Sequence, residues 1–354
     1  MNNWQSARLR ITALSRWKQV LLALVTIAMV WWVVNTLIVR FPIRSHTMNE
    51  YTQNMQPVCV GRYLIDVPSQ FKLASMGQSV NGIEIVRLPK GIPNLRVFMF
   101  EMERAERQLR EMLAKEDYSG IDQVLPISEN SKAFIYYRGS VEKKLARIEA
   151  YFLKDQSIYQ FKTDVSTERI AEKLKSINAL AALISLRTPS QTPTTPGLCI
   201  DGGFISGKEF DDEGVSAGFS LTGYPGLGFS IGIEQSGTPD EWLNARIDRN
   251  WSYDAYAKVT GALTTHRKAK LNILGQEGEE RIFSGTEKGQ HSWTAVAEIY
   301  GDNSVSKQTY KLDMDNDSHD SGTNEAFTTT FPNDTALSIW DAVTKTIRLR
   351  PGAI

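Results

Sequence analysis

The chain has 354 residues, with 40 basic and 40 acidic side chains, 42% hydrophobic and 23% charged residues. That is close to the globular average and excludes a disordered, collagen-like or disulfide-dense chain. The charges are unevenly spread: residues 1–45 hold Arg8, Arg10, Arg16, Lys18, Arg40 and Arg44 and no acid, which leaves 34 basic against 40 acidic residues in the rest. A net-acidic body argues against nucleic acid as a partner, because phosphate binding needs clustered cations.

Residues 20–39 read VLLALVTIAMVWWVVNTLIV, without a charge. Twenty residues at about 1.5 Å each span a bilayer core of about 30 Å. The run exceeds the apolar region of a cleaved signal peptide and ends in Val39-Arg40-Phe41-Pro42 rather than in small residues. It predicts an uncleaved single-pass inner-membrane anchor. Four basic residues precede it and two follow closely, so the positive-inside bias puts the N-terminus in the cytoplasm and the body in the periplasm.

The body reads as residues 46–188, a Pro-rich linker at 189–197 and residues 198–354. Pro189, Pro193 and Pro196 cannot sit inside a helix or a sheet interior. The first part predicts strands at 57–66, 83–87 and 95–100. A helix follows through Met102, Ala105, Leu109, Met112 and Leu113, whose spacing is 3 or 4. Strands near 133–138, 147–153 and 158–163 precede a helix from Ser166 through Ile184. The second part repeats that order. Strands at 197–201, 219–221 and 229–233 lead to a helix start at Thr238-Pro239-Asp240-Glu241. Four further strands near 269–274, 280–283, 295–300 and 307–312 precede a helix carrying Ala336, Ile339, Trp340 and Val343. The expected fold class is α+β: a transmembrane helix, then two similar domains, each an antiparallel sheet with helices.

Cys59 and Cys199 are the chain's two cysteines, 140 residues apart. An oxidising compartment permits a bridge between them, and two buried thiols are the alternative. Zinc is disfavoured, because neither lies in a C-x-x-C spacing.

The sequence matches the nucleophile-elbow pattern G-x-S-x-G twice, at Gly214–Gly218 around Ser216 and at Gly228–Gly232 around Ser230. Elbow chemistry needs a strand, a strained turn and then a helix. Ser216 is instead followed by a strand-like run, Phe219-Ser220-Leu221, and Ser230 lies inside another, Phe229–Ile233, so a membrane-anchored hydrolase is the lesser reading and an envelope scaffold a third. His46, His266, His291 and His319 form no metal-binding helix motif. Asp313-Met314-Asp315-Asn316-Asp317 begins like an EF-hand loop but lacks the turn glycine at position six. It reads as an acidic hairpin loop, as does Asp211-Asp212-Glu213. No cofactor or metal is called for.

Three phrases carry a family likeness: Val58-Cys59-Val60-Gly61-Arg62-Tyr63-Leu64-Ile65-Asp66-Val67-Pro68, Cys199-Ile200-Asp201-Gly202-Gly203-Phe204-Ile205, and the end from Ile339-Trp340-Asp341 to Arg350-Pro351-Gly352-Ala353. The chain resembles the immunity proteins of type VI secretion lipase effectors, the Tli-type family with an N- and a C-terminal domain. The resemblance implies a non-enzymatic periplasmic inhibitor that binds a toxic Tle-type phospholipase and keeps it from lipid, by occluding its active site or lid. Exposed tips of the second domain are the candidate contacts: Asp211, Asp212, Tyr224, Leu227, Asp315 and Asp317.

Overall fold

A computed structural model describes residues 50–88, 94–116, 120–137, 144–249, 263–287, 290–319, 325–327 and 331–354. The first half begins with a hairpin, β1 (Met55–Val60) and β2 (Tyr63–Pro68), followed by β3 (Phe71–Val80), β4 (Ile83–Arg87) and helix α1 (Leu95–Lys115). Then come β5 (Ile121–Ser128), β6 (Ser131–Tyr137), β7 (Leu145–Lys154), β8 (Ser157–Ser166), helix α2 (Ile170–Ala182) and β9 (Ile184–Leu186). The second half begins with β10 (Gly197–Ile200), β11 (Gly203–Ser206), β12 (Glu213–Leu221), β13 (Tyr224–Glu234) and helix α3 (Leu243–Arg249). It ends with β14 (Leu263–Ile273), β15 (Gln276–Glu287), β16 (Gln290–Ile299), β17 (Thr309–Asp317), helix α4 (Asn333–Thr344) and β18 (Arg348–Leu349).

The expected α+β class is corrected: the described residues form a mostly antiparallel β structure with four α-helices. Both halves share one 12-stranded antiparallel sheet, in the order β14-β15-β16-β17-β13-β12-β3-β4-β8-β7-β6-β5. The join is the antiparallel pairing of β3 with β12, from Phe71↔Leu221 to Val80↔Glu213. Counted outward from it, each half lays down its six strands in the same order: first, second, sixth, fifth, fourth, third. The halves also exchange their last strands. β9 pairs with β11 of the second half, and β18 pairs with β2 of the first. Strands dominate the described fold, and its helices serve as cover. The anchor expected at 20–39 lies outside the described residues, and among those residues no helix is long and apolar enough to cross a membrane.

Alternation along the strands gives the sheet two faces. The inner face carries the main core, including Ile83, Ile85, Ile135, Ile148, Phe161, Val215, Ile231 and Leu312, with α2 and α4 supplying Ile177, Leu180, Ile339 and Trp340. The outer face is covered at its two ends. Helix α1 seats Phe98, Met102, Leu109 and Leu113 on Phe134, Tyr136, Tyr151 and Ile158. Helix α3 lies over β15.

The segment expected as a strand at 95–100 is the start of α1. Asn94 caps it, its side-chain oxygen accepting from the Val97 amide at 3.0 Å, and Phe98 extends the apolar spacing of Met102 backwards. The expected acidic hairpin loop at 313–317 is the end of β17, where Asp313 and Asp315 point outward and Leu312 and Met314 inward. The edge strands resist further pairing: β5 carries Pro126 and two register shifts, and β14 carries Lys268, Lys270 and one.

Cys59 and Cys199 are bonded, with Cα atoms 5.8 Å apart. The adjacent Arg62–Glu213 ion pair is also buried, at 0% and 1% exposure. Arg62 donates from Nε to Glu213 Oε2 at 2.8 Å, and Gln308 Nε2 donates to the same oxygen at 3.1 Å. The Pro-rich stretch at 189–197 is held at both ends. Arg187 Nη1 donates to the carbonyls of Thr188, Pro189 and Gln191. Arg350 donates to those of Pro193, Thr195 and Gly197. Burial, with Arg62 and Arg187 nearby, lowers the Arg350 pKa to about 10.

Candidate functional site

Between α1 and α3 the outer face of the sheet is floored by glycine and serine. On β3 the outward residues are Ser75, Gly77 and Ser79, on β12 Gly214, Ser216 and Gly218, and on β13 Gly228, Ser230 and Gly232. They alternate across strands as well as along them: Ser79↔Gly214, Gly77↔Ser216↔Gly232, and Ser75↔Gly218↔Ser230. On β3 and β12 the serine hydroxyls sit close over the facing glycines. A Cβ at Gly77 would lie 2.9 Å from Ser216 Oγ, and one at Gly218 would lie 2.8 Å from Ser75 Oγ. Glycine inside a strand weakens it, and its presence marks places where another backbone or ligand comes close. A shallow depression of about 320 Å³ lies here, lined by Gly77, Ser79, Ser216, Gly232, Glu234 and Lys311 among others.

Ser216 and Ser230 thus stand in mid-strand opposite glycines, with no turn and no following helix. That removes the elbow geometry on which the hydrolase reading rested. Among the described histidines, His266 Nε2 meets Ser284 Oγ at 2.8 Å. Burial first, then His291, lowers the His266 pKa.

The floor is walled on each side by charged and aromatic groups. Under α1, Glu149 accepts from Tyr136 Oη at 2.7 Å, Tyr151 Oη at 3.0 Å and Gln160 Nε2 at 2.9 Å. Burial first, then Glu149, pushes the Tyr151 phenol well above its usual range. A cleft of about 550 Å³ runs beside it, bounded by Arg87, Val97, Met102, Tyr151 and Gln160. The N-terminal end of α1 also exposes Leu95, Met99 and Phe100, the last at 60%. On the far side, Glu279 accepts from the Asn244 amide at 2.8 Å, and Arg246 Nη2 donates to Glu298 at 2.6 Å.

The six residues expected to contact a partner do not form one cluster. Asp315 and Asp317 lie on the outer face beside the floor, and Asp315 accepts from Thr294 Oγ1 at 3.0 Å. Asp211 and Asp212 are exposed at the opposite end of the floor, where they close against the turn at Asn81. The Asp211 amide donates to Asn81 Oδ1 at 2.9 Å, and the Asn81 amide donates to the Asp212 carbonyl at 2.8 Å. Tyr224 is half-buried, edge-on to Phe331 with ring centres 4.9 Å apart. Leu227 is fully buried, at 0%. It points from β13 into the core and offers a partner no surface, which corrects its expected place at a tip.

The comparisons with known proteins decide what kind of molecule carries this face. Residues 56–187 match the family described as Tle cognate immunity protein 4 N-terminal domain, and residues 191–352 match its C-terminal domain. The chain belongs to the Tle cognate immunity protein 4 family. It is an immunity protein of a Tle effector of type VI secretion, and proteins of this family are non-enzymatic binders. Among solved structures, "The crystal structure of Tle4-Tli4 complex" has a chain 24% identical to this immunity protein, with a TM-score of 0.68. The match covers 86% of this chain and 99% of that one. The apo structure of immunity protein TplEi from Pseudomonas aeruginosa is 24% identical with a TM-score of 0.65, covering 84% of this chain and 97% of that one. TplEi complexed with "L" peptide matches at 23% identity and a TM-score of 0.64, covering 85% and 99%. At these identities the likeness establishes the fold. No match is found among curated proteins.

Proposed function

We propose that this immunity protein binds a phospholipase effector in the periplasm and inhibits it sterically, by occupying its active-site mouth or lid. The observation that carries the reading is the bare glycine–serine floor between α1 and α3. An open sheet face of small side chains lets a partner segment approach the backbone closely, and the flanking helices limit where it lies. A standard protein interface buries about 1,200–2,000 Å² in total, a scale suited to a face of several strands. The Cys59–Cys199 bridge supports an oxidising compartment.

The test is a titration of the cognate effector with the full chain, following phospholipid hydrolysis against molar ratio. Activity should fall to background at a fixed stoichiometry. Undiminished hydrolysis in the presence of a formed complex would overturn the steric mechanism, because a bound inhibitor would then leave the mouth open.

A further inference from the structure

The glycine–serine floor has unlike borders on its two sides. Towards α1 it runs into the cleft of about 550 Å³: Gln160, in the cleft wall, pairs with Val86 of β4, and β4 pairs with β3. The charged side chains of the cleft already face opposite charges, Arg87 Nη1 lying 3.7 Å from Asp201 and Arg104 Nη1 3.8 Å from Glu101. What the cleft offers an incoming group is chiefly its apolar wall of Leu88, Val97, Met102 and Ile158. Val97 is 39% exposed, and Phe100, one turn along the same side of α1, is 60% exposed.

The opposite border is acidic. Ser230 pairs with Asp313 and Gly228 with Asp315, and Asp317 follows two residues on, so three outward carboxylates edge the floor. Among the described residues none of the three lies within ion-pair distance of a lysine or arginine. Lys311, on the same face of β17, is bonded to Glu234 at 2.5 Å. Burial first, and then the Asp315 charge, raises the Asp313 and Asp317 carboxyls, with Lys311 and His291 respectively opposing. Like charges crowd along this border, and an incoming cation would relieve them.

Building on the effector-binding role given to the floor, we propose that it takes one segment of the effector laid across the strands, with an apolar side chain seated in the cleft and lysine or arginine side chains against Asp313, Asp315 and Asp317. The strands between the two borders run β8-β4-β3-β12-β13-β17, five steps of about 4.8 Å, so the apolar and basic ends stand about 24 Å apart. An α-helix of about 16 residues has that length. The bare glycines let the segment lie low between its two ends. An anchor in a pocket supplies affinity, while complementary charge fixes the direction and speeds the encounter.

The experiment is calorimetric titration of the full chain with the cognate effector at about 50 mM and about 300 mM sodium chloride, where screening differs. Wild-type affinity should fall at least tenfold from the lower salt to the higher. Asp313→Asn combined with Asp315→Asn and Asp317→Asn should weaken low-salt binding at least tenfold and flatten the salt dependence. Val97→Gln combined with Phe100→Gln should weaken binding at least tenfold at both salts and keep the wild-type salt dependence. Glu129→Gln, a loss of charge at the β5–β6 turn, should change neither, and circular dichroism checks the fold of each variant. A triple variant that binds like wild type, or one that is weakened with its salt dependence intact, overturns the proposal. Wild-type affinity in the Val97 and Phe100 double variant overturns it too. Binding is read apart from hydrolysis, so a complex that forms and leaves hydrolysis undiminished counts against steric inhibition alone.

Discussion

Cys59 and Cys199 occupy equivalent places in the two halves and are bonded to each other. Each lies one pair back from the tip of its hairpin, Cys59 opposite Leu64 and Cys199 opposite Phe204. The bridge therefore joins the halves near the centre of their internal repeat, where Gly61 and Cys199 also exchange backbone hydrogen bonds of 2.8 and 3.0 Å. Replacing both cysteines by alanine removes a crosslink between residues 140 apart. The chain-entropy view puts the loss at about 5 kcal/mol. Urea unfolding of the two forms should show it, and the intact protein should weigh about two daltons less before reduction than after.

Arg62 and Glu213 form the second tie between the halves, and it is a tie of a different kind. Removing one partner leaves a charge buried near Gln308 with nothing opposite, so Arg62→Met should cost about 3–5 kcal/mol. The double replacement Arg62→Met with Glu213→Leu should cost less than Arg62→Met alone, since apolar groups of similar size need no counter-charge. A double-mutant cycle in urea measures the difference. A double variant as unstable as the sum of the singles would show that the pair's packing, rather than its charge, holds the join.

The bare floor gives the sharpest functional prediction. Ser216 is exposed and flanked across the sheet by Gly77 and Gly232. Arginine at that position would lie over the floor without disturbing the core beneath it. Ser216→Arg should leave the melting temperature nearly unchanged and weaken effector inhibition at least tenfold, about 1.4 kcal/mol. Undiminished inhibition would move the interface elsewhere, with the exposed apolar end of α1 the next place to substitute.

The aspartate row on β17 should make stability depend on pH. Burial first, and then Asp315, raises the Asp317 carboxyl above its ordinary range, with His291 opposing. A carboxyl raised on folding takes up a proton as the chain folds. It subtracts stability above the raised value, and the penalty fades as pH falls through that value towards the unfolded one. Asp315→Asn removes the neighbouring charge and keeps an oxygen for Thr294. It should stabilise the protein at pH 7 by no more than about 1 kcal/mol, with the gain shrinking near pH 4. Melting curves at the two values measure both effects.

Much of the order of elements was legible because amphipathic spacing is a local property. Helix α4 announces itself in Ala336, Ile339, Trp340 and Val343, and the strands of the first half in runs such as Ala133–Tyr137. The shared sheet was not legible, because the β3–β12 pairing is long-range and β3 gives a weak local signal. Its outward positions are Ser75, Gly77 and Ser79, residues with poor strand preference that suit an uncovered face. The site was in plain view under another interpretation. The two G-x-S-x-G matches are the outward faces of two adjacent strands, and only their pairing shows that the motif serves a surface rather than a nucleophile. Leu227 went astray for a related reason: its glycine-rich neighbourhood suggests a turn, and the alternation of β13 turns it inward.

The exchanged end strands also set the order in which the molecule can be completed. The hairpin of β1 and β2 comes before every other described strand, yet its third strand is β18. Asp66 waits for Arg348, 282 residues further along, to donate to its carboxylate at 2.8 Å. Contacts so distant in sequence are slow to form, since the chain must close a long loop before any stabilisation returns. The first hairpin therefore keeps an open edge until the segment around Arg348 has been made and has docked against β2.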